Sequence, residues 1–132
     1  MRLRTLWALP LVLATVGCGA EEEPRYMTVM ASAYNSLPDQ TNDEPTLAAW
    51  GDRLQPGMKV IAVSRDLLGE GLAYGTEVRI KGLRGRYRVL DKMHPRWTRK
   101  IDIYMGNDER AALDWGVRKV QISWVPIDAD DS

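Results

Sequence analysis

Along the middle of the chain, apolar and polar positions alternate in short runs separated by glycine, proline and asparagine. In Tyr26 to Tyr34, Met27, Val29, Ala31 and Ala33 alternate with Thr28, Met30, Ser32 and Tyr34. A period of two predicts a strand. Met58 to Val63 is almost continuously apolar and predicts a second strand. Glu77 to Lys81 and Arg86 to Leu90 alternate on either side of Gly82-Leu83-Arg84-Gly85, which predicts a hairpin closed by a tight turn. Ile101 to Met105 and Val117 to Val125 complete a set of six.

One helix is expected, before the last strand. Asn107 suits its cap, and Asp108 and Glu109 suit the positive end of its dipole. Gly116 ends it, and Ala111, Ala112 and Trp115 form its apolar stripe. Six short strands with one helix predict a mainly β fold, a small closed barrel. Asn35 to Pro45 is a polar loop rich in Asn, Asp and Pro.

The start of the chain follows another pattern. Arg2 and Arg4 precede the apolar run Leu6 to Val16, which is too short to span a bilayer. Thr15-Val16-Gly17-Cys18 follows, a small residue directly before a cysteine. The arrangement resembles a bacterial lipobox, with cleavage before Cys18 and lipid carried on it. The organisation is then a lipoprotein signal peptide over 1–17, a tether over 18–25, the barrel over 26–126 and an acidic tail over 127–132. Gly19 rather than Asp after Cys18 points to the outer membrane, facing the periplasm.

With Cys18 the only cysteine, an internal disulfide is excluded and a cysteine metal cluster is unsupported. His94 is the only histidine, so no metal or other cofactor is expected. Five Trp and five Tyr, with no Phe, supply the aromatic side chains. Trp50, Trp115 and Trp124 are read as core or barrel-end packing, whereas Trp97, in a loop beside Arg96, suits stacking on a sugar.

Basic and acidic residues balance at 18 each, and losing Arg2 and Arg4 leaves a net charge of −2. Between Arg79 and Lys100 there are nine basic residues and one acid, Asp91. Such a run is either a solvated face or a groove for anions. A net negative, exported chain argues against nucleic acid as its partner.

Four stretches together resemble the 3D domain, a bacterial family named for three aspartates. They are Ser32-Ala33-Tyr34 with Thr41 to Thr46, then Ile61-Ala62-Val63 with Tyr74-Gly75-Thr76. Next come Val89-Leu90-Asp91 with Ile101-Asp102-Ile103-Tyr104, and last Trp115-Gly116 with Val120. The resemblance covers roughly residues 27–122. It implies a six-stranded double-psi β-barrel, the fold of the catalytic part of the membrane-bound lytic transglycosylase A. One of the family's three aspartate positions is Ser64 here, with Asp66 two residues later. The segment between the paired aspartates, often glycine-rich in the family, is bulky and basic here.

What the resemblance implies for function is action on peptidoglycan glycan strands, with Asp102 as general acid/base of a lytic transglycosylase. Asp91 is then its neighbour, tuning its pKa or holding sugar, and Thr41 and Asp43 line the same groove. Each has a plainer reading. Asp102 fits an outward charge between two inward isoleucines, and Thr41 and Asp43 fit loop capping. A non-catalytic peptidoglycan-binding module, or an accessory partner of another wall enzyme, is the alternative. The oligomeric state is not legible.

Overall fold

The computed structural model describes residues 23–36 and 46–127. Cys18, Thr41, Asp43, the signal-like segment and residues 128–132 of the acidic tail lie outside the described residues. Six strands form a closed barrel: β1 (Arg25–Tyr34), β2 (Val60–Val63), β3 (Glu77–Ile80), β4 (Tyr87–Lys92), β5 (Lys100–Tyr104) and β6 (Arg118–Trp124). Their order around the barrel is β1-β5-β2-β4-β3-β6. β1 pairs parallel to β5 and β2 parallel to β4, while the other neighbours are antiparallel. Closure leaves no free edge.

Alternation in each strand selects what enters the barrel. Val29 and Ala31 of β1, Ile61 and Val63 of β2, Ile101 and Ile103 of β5, and Val120 and Ile122 of β6 share one buried cluster. Burying each isoleucine stabilises the fold by about 2 kcal/mol. Trp124 closes the same cluster, as its sequence position suggested.

β2 is buried at all four positions because both of its faces are covered. Its outer residue Val60 joins a second, smaller cluster with Leu90, Tyr104, Ala48 and Leu54, against which Tyr34 and Met58 pack. The loop carrying Ala48, Leu54 and Met58 therefore lies over the outside of the barrel. Gly106 lets it approach closely. The glycine has φ +63°, and a Cβ there would come 3.1 Å from the backbone of Pro56.

Several expectations change. A short helix not foreseen, α1 (Arg65–Leu68), follows β2. The expected helix is α2 (Glu109–Trp115), and its cap is Asp108 rather than Asn107. Asp108 Oδ1 accepts the Ala111 N–H at 2.9 Å, which Asn107 is one residue too early to do. Its anticipated stripe is not buried, because α2 has no fully buried residue. Only Trp115 reaches the core, and its indole N–H donates to the Ala31 carbonyl at 3.1 Å. The Glu77–Leu90 hairpin is looser than predicted. β3 and β4 pair only at Glu77↔Arg88 and Val78↔Tyr87, while the other edge of β3 pairs with β6 from Val78 to Ile80.

Asp108→Ala is expected to cost about 1 kcal/mol, the usual loss for a removed N-cap. Thermal unfolding of the two proteins checks this, and an Asn107→Ala variant serves as the silent control.

Candidate functional site

The paired aspartates meet on the outside of the barrel, and backbone register explains how. Ile101 and Ile103 point inward, so Asp102 between them points outward. Asp102 pairs with Ala62 of β2 and with Ser32 of β1. Strict alternation in β4, with Tyr87 and Val89 inside, would send Asp91 inside as well. A register shift opposite Ile61/Ala62 prevents this. Leu90 turns out into the second cluster, and Asp91 is brought level with Ala62. A bulge that re-aims one side chain has this effect.

Ala62 therefore stands between the two aspartates, with Asp102 on one neighbouring strand and Asp91 on the other. Two strand spacings put their α-carbons roughly 10 Å apart. Two half-buried carboxylates thus lie on one outer face of the barrel, with the buried methyl group of Ala62 between them.

Each is held by its neighbours. Ser32 Oγ donates to Asp102 Oδ1 at 3.0 Å. Asp91 Oδ1 accepts the backbone N–H of Ala49 at 2.8 Å and its neighbour Lys92's at 3.0 Å. Tyr34 Oη donates to Asp91 Oδ2 at 3.4 Å and packs on Tyr104, ring centroids 5.4 Å apart. Ala49 belongs to the loop lying over the barrel, so that loop is fastened directly to the site.

Burial pushes the Asp102 carboxyl above the ordinary carboxylate value, and the charge of Asp91 adds to the rise. The Ser32 hydroxyl and the Lys100 cation pull the other way without cancelling it. Burial also raises Asp91, against the bonds from Ala49, Lys92 and Tyr34. Tyr34 is raised by burial and then by the Asp91 and Asp102 charges, so it stays a neutral donor. Burial rather than repulsion between the carboxylates is the main cause at Asp102, because the two groups sit two strands apart.

Aromatic rings flank the aspartates. Lys100 Nζ lies 3.8 Å from the Trp97 centroid, and the Arg96 guanidinium 4.9 Å from it. Lys100 is two residues before Asp102 on the same strand face, so Trp97 lies on the side of Asp102. On the Asp91 side, Trp50 follows Ala49 and packs at a tilt against Tyr74 with centroids 5.2 Å apart. Lys92 Nζ lies 5.3 Å from the Trp50 ring. Trp50 is 38% exposed, so the expectation that it packs in the core is corrected. Its position in a turn of the covering loop, rather than in a strand, was the signal available for this.

Asp66, offered by the sequence as a third aspartate, does not join the pair. It lies on α1 and accepts the Arg99 backbone N–H at 2.9 Å. Slight burial opposes its ionisation, but hydrogen bonds from Ser64 and Arg99 outweigh this and hold its pKa low. Among the described residues, no group of three or more His, Cys, Asp and Glu is arranged to hold a metal.

The basic run from Arg79 to Lys100 is divided between two faces. Lys92, Arg96 and Lys100 accompany the aspartates. Arg79 and Arg86 instead border a hollow of about 640 Å3 on the β3–β6 flank, with Tyr26, Glu77, Trp124 and Val125. There Arg86 pairs with Glu77 at 3.0 Å, an exposed bridge of little energetic weight.

No protein-family profile matches the chain, and no curated protein matches it. Solved structures do. The papain inhibitor of Streptomyces matches with TM-score 0.54 and 20% identity, over 76% of this chain and 94% of its own. The expansin of Clavibacter michiganensis matches with TM-score 0.52 and 20% identity, over 80% of this chain. This chain spans about half of that expansin, 52% of its length. A point mutant of the same expansin, in complex with cellohexaose, matches with TM-score 0.47 and 22% identity, over 79% of this chain and 51% of its own. At such identities the first two likenesses speak for the fold alone, a barrel of the double-psi kind.

Proposed function

We propose that the outer face of β1, β5, β2 and β4 is a glycan-binding groove of a cell-wall protein, and that its ligand is the glycan strand of peptidoglycan. The observation that carries this reading is the arrangement itself. Two half-buried carboxylates, Asp91 and Asp102, lie between two partly exposed tryptophans, Trp97 and Trp50, each with a cation over its ring. Aromatic faces suit the C–H faces of sugar rings, and carboxylates accept from their hydroxyls. Lys92, Arg96 and Lys100 suit a glycan that carries carboxylates, as peptidoglycan does on its lactyl groups and stem peptides. The resemblance of the chain's motifs to the 3D domain supports the same ligand. The proposal includes attachment to the envelope by lipid on Cys18, outside the described residues. Among the described residues no helix is long and apolar enough to cross a membrane.

A second reading adds cleavage, and the raised pKa of Asp102 favours it. A carboxyl whose pKa is raised keeps its proton to higher pH than an ordinary one, and a protonated carboxyl can donate to a leaving glycosidic oxygen. The carboxylate then takes the proton of the muramic acid 6-hydroxyl as that oxygen attacks the anomeric carbon. The product is a 1,6-anhydro sugar, and no protein nucleophile is required. Asp91 would hold a sugar hydroxyl at the far side of Ala62.

Sedimentation of the mature domain with purified sacculi, with cellohexaose as a neutral competitor, tests the first reading. Binding is expected to fall about tenfold in Trp97→Ala, in line with loss of one aromatic stacking platform. Competition by cellohexaose at equal saccharide concentration, or full binding by Trp97→Ala, would count against a groove for charged glycan. Release of anhydromuropeptides by the wild type is the outcome expected on the cleavage reading. Binding with no release leaves the groove as a binding site only.

A further inference from the structure

The segment 93–99 joins β4 to β5 and carries Trp97. It contains a non-glycine residue in the left-handed region, Arg99 at φ +46°. An L-residue adopts that conformation only where its surroundings impose it. Its surroundings are Met30 of β1, whose N–H donates to Arg99 O at 3.2 Å, and three consecutive residues that follow β2. At the start of the segment, Arg65 Nε donates to the Met93 carbonyl at 3.0 Å, and the Met93 N–H donates to Val63 O at 2.9 Å. At its end, Ser64 exchanges two bonds with Lys100: its N–H donates to Lys100 O at 2.9 Å, and its Oγ accepts the Lys100 N–H at 3.0 Å. Asp66 Oδ2 accepts the N–H of Arg99 itself. Ser64 is fully buried, so its two bonds to Lys100 are shielded from water, whereas the Asp66–Arg99 bond lies at the surface.

Both ends of the segment are thus held by Ser64, Arg65 and Asp66. Between them a turn closes from the Trp97 N–H to His94 O at 3.1 Å. Fixing the backbone of Arg99 and Lys100 sets where the Lys100 side chain starts, and its Nζ lies 3.8 Å from the Trp97 ring.

We infer that Ser64, Arg65 and Asp66 form a clamp that presents Trp97 to the groove, and that Asp66 is a positioning residue for glycan binding. The inference rests on the glycan-groove reading for its purpose, but not for its geometry. Asp66 touches no ligand. It acts through the backbone of Arg99 on where the indole stands.

The test is a double-mutant cycle on the mature domain with Asp66→Ala, Trp97→Ala and both together. Affinity for sacculi and the Trp97 fluorescence are read, the latter as the difference between each protein and its Trp97→Ala counterpart. Asp66→Ala is expected to lower affinity about tenfold and shift the Trp97 emission to the red. The double variant is expected to bind no worse than Trp97→Ala alone. Asp66→Asn, which keeps an oxygen for the Arg99 N–H, is expected to restore most of both signals. Ser64→Ala supplies a second way to open the clamp if Asp66→Ala does not fold. Unchanged Trp97 emission in the opened variants would overturn the clamp, as would losses that add in the double variant. If the wild type fails to sediment with sacculi, the glycan reading falls, and the Trp97 emission still decides the clamp.

Discussion

Ile103→Ala is expected to lower the free energy of unfolding by about 3 kcal/mol, within the range for truncating a buried isoleucine. Ile103 is 0% exposed on β5, where it pairs with Ile61 of β2 and Ala33 of β1. Its side chain fills the middle of a barrel whose wall is closed on all sides, so little can collapse into the space it leaves. For a domain of this size the melting temperature should fall by roughly 15 °C. The contrasting variant is Ile127→Ala, at a position 38% exposed, where a change within about 0.5 kcal/mol is expected. Calorimetric melts of the two variants decide the matter. Equal losses would mean that the interior of the barrel is not the main store of its stability.

Asp102→Asn is expected to act in opposite directions on activity and stability. On the cleavage reading it removes the proton donor, and release of anhydromuropeptides should drop by about 100-fold or more. Stability should rise at neutral pH. The carboxyl of Asp102 has a folded-state pKa above its ordinary value of 3.8, chiefly through burial. Above 3.8 the folded protein therefore holds a proton that the unfolded chain has released. Stability contributed by this group falls as pH rises through that window, and the penalty is complete once Asp102 is ionised in the folded state.

Asparagine carries no such charge, and its side-chain oxygen can still accept from Ser32 Oγ. The variant should thus melt higher than the wild type at pH 7, and the difference should shrink as pH is lowered toward 3.8. Melting curves across that range and mass spectrometry of released muropeptides give both readouts. A variant that still releases anhydromuropeptides would remove Asp102 from the chemistry. One that melts lower at pH 7 would mean that the ionised carboxylate stabilises the fold.

Period-two alternation and, for β2, a continuous apolar run located the six strands to within one or two residues, because a barrel strand must put every second side chain in the core. β2 illustrates the strength and limit of the pattern. Its continuous apolar run signalled a strand, but not that a loop bearing Ala48 and Leu54 would cover its outer face. α1 escaped because a single turn of four residues has no amphipathic period to detect. The position of Trp115 was legible from its helical spacing, whereas its neighbours Ala111 and Ala112 remain partly exposed.

The candidate site was legible as residues rather than as a place. Asp91 and Asp102 stood out because aspartate is disfavoured inside strands. That Asp91 faces outward depends on the bulge beside Leu90, since simple alternation would have buried it beside Val89. The charge run from Arg79 to Lys100 read as one surface, but consecutive strands of this barrel are not all neighbours. Connections that cross from β4 to β5 carry part of the run to the aspartates and leave part on the β3–β6 flank.

By itself, then, the sequence determined the mainly β class, the strands, the inward set of side chains and the pair of aspartates. These follow from local periodicity and from residue types that are out of place in a strand. Tertiary structure alone decided which strands are neighbours, that both carboxylates share one outer face across Ala62, and that Trp50 joins them from a loop. It also assigned Asp66 to holding the Trp97 segment instead of completing a triad. The physical reason is that barrel closure and a one-residue bulge set the register between strands distant in sequence, and register determines which side chains meet.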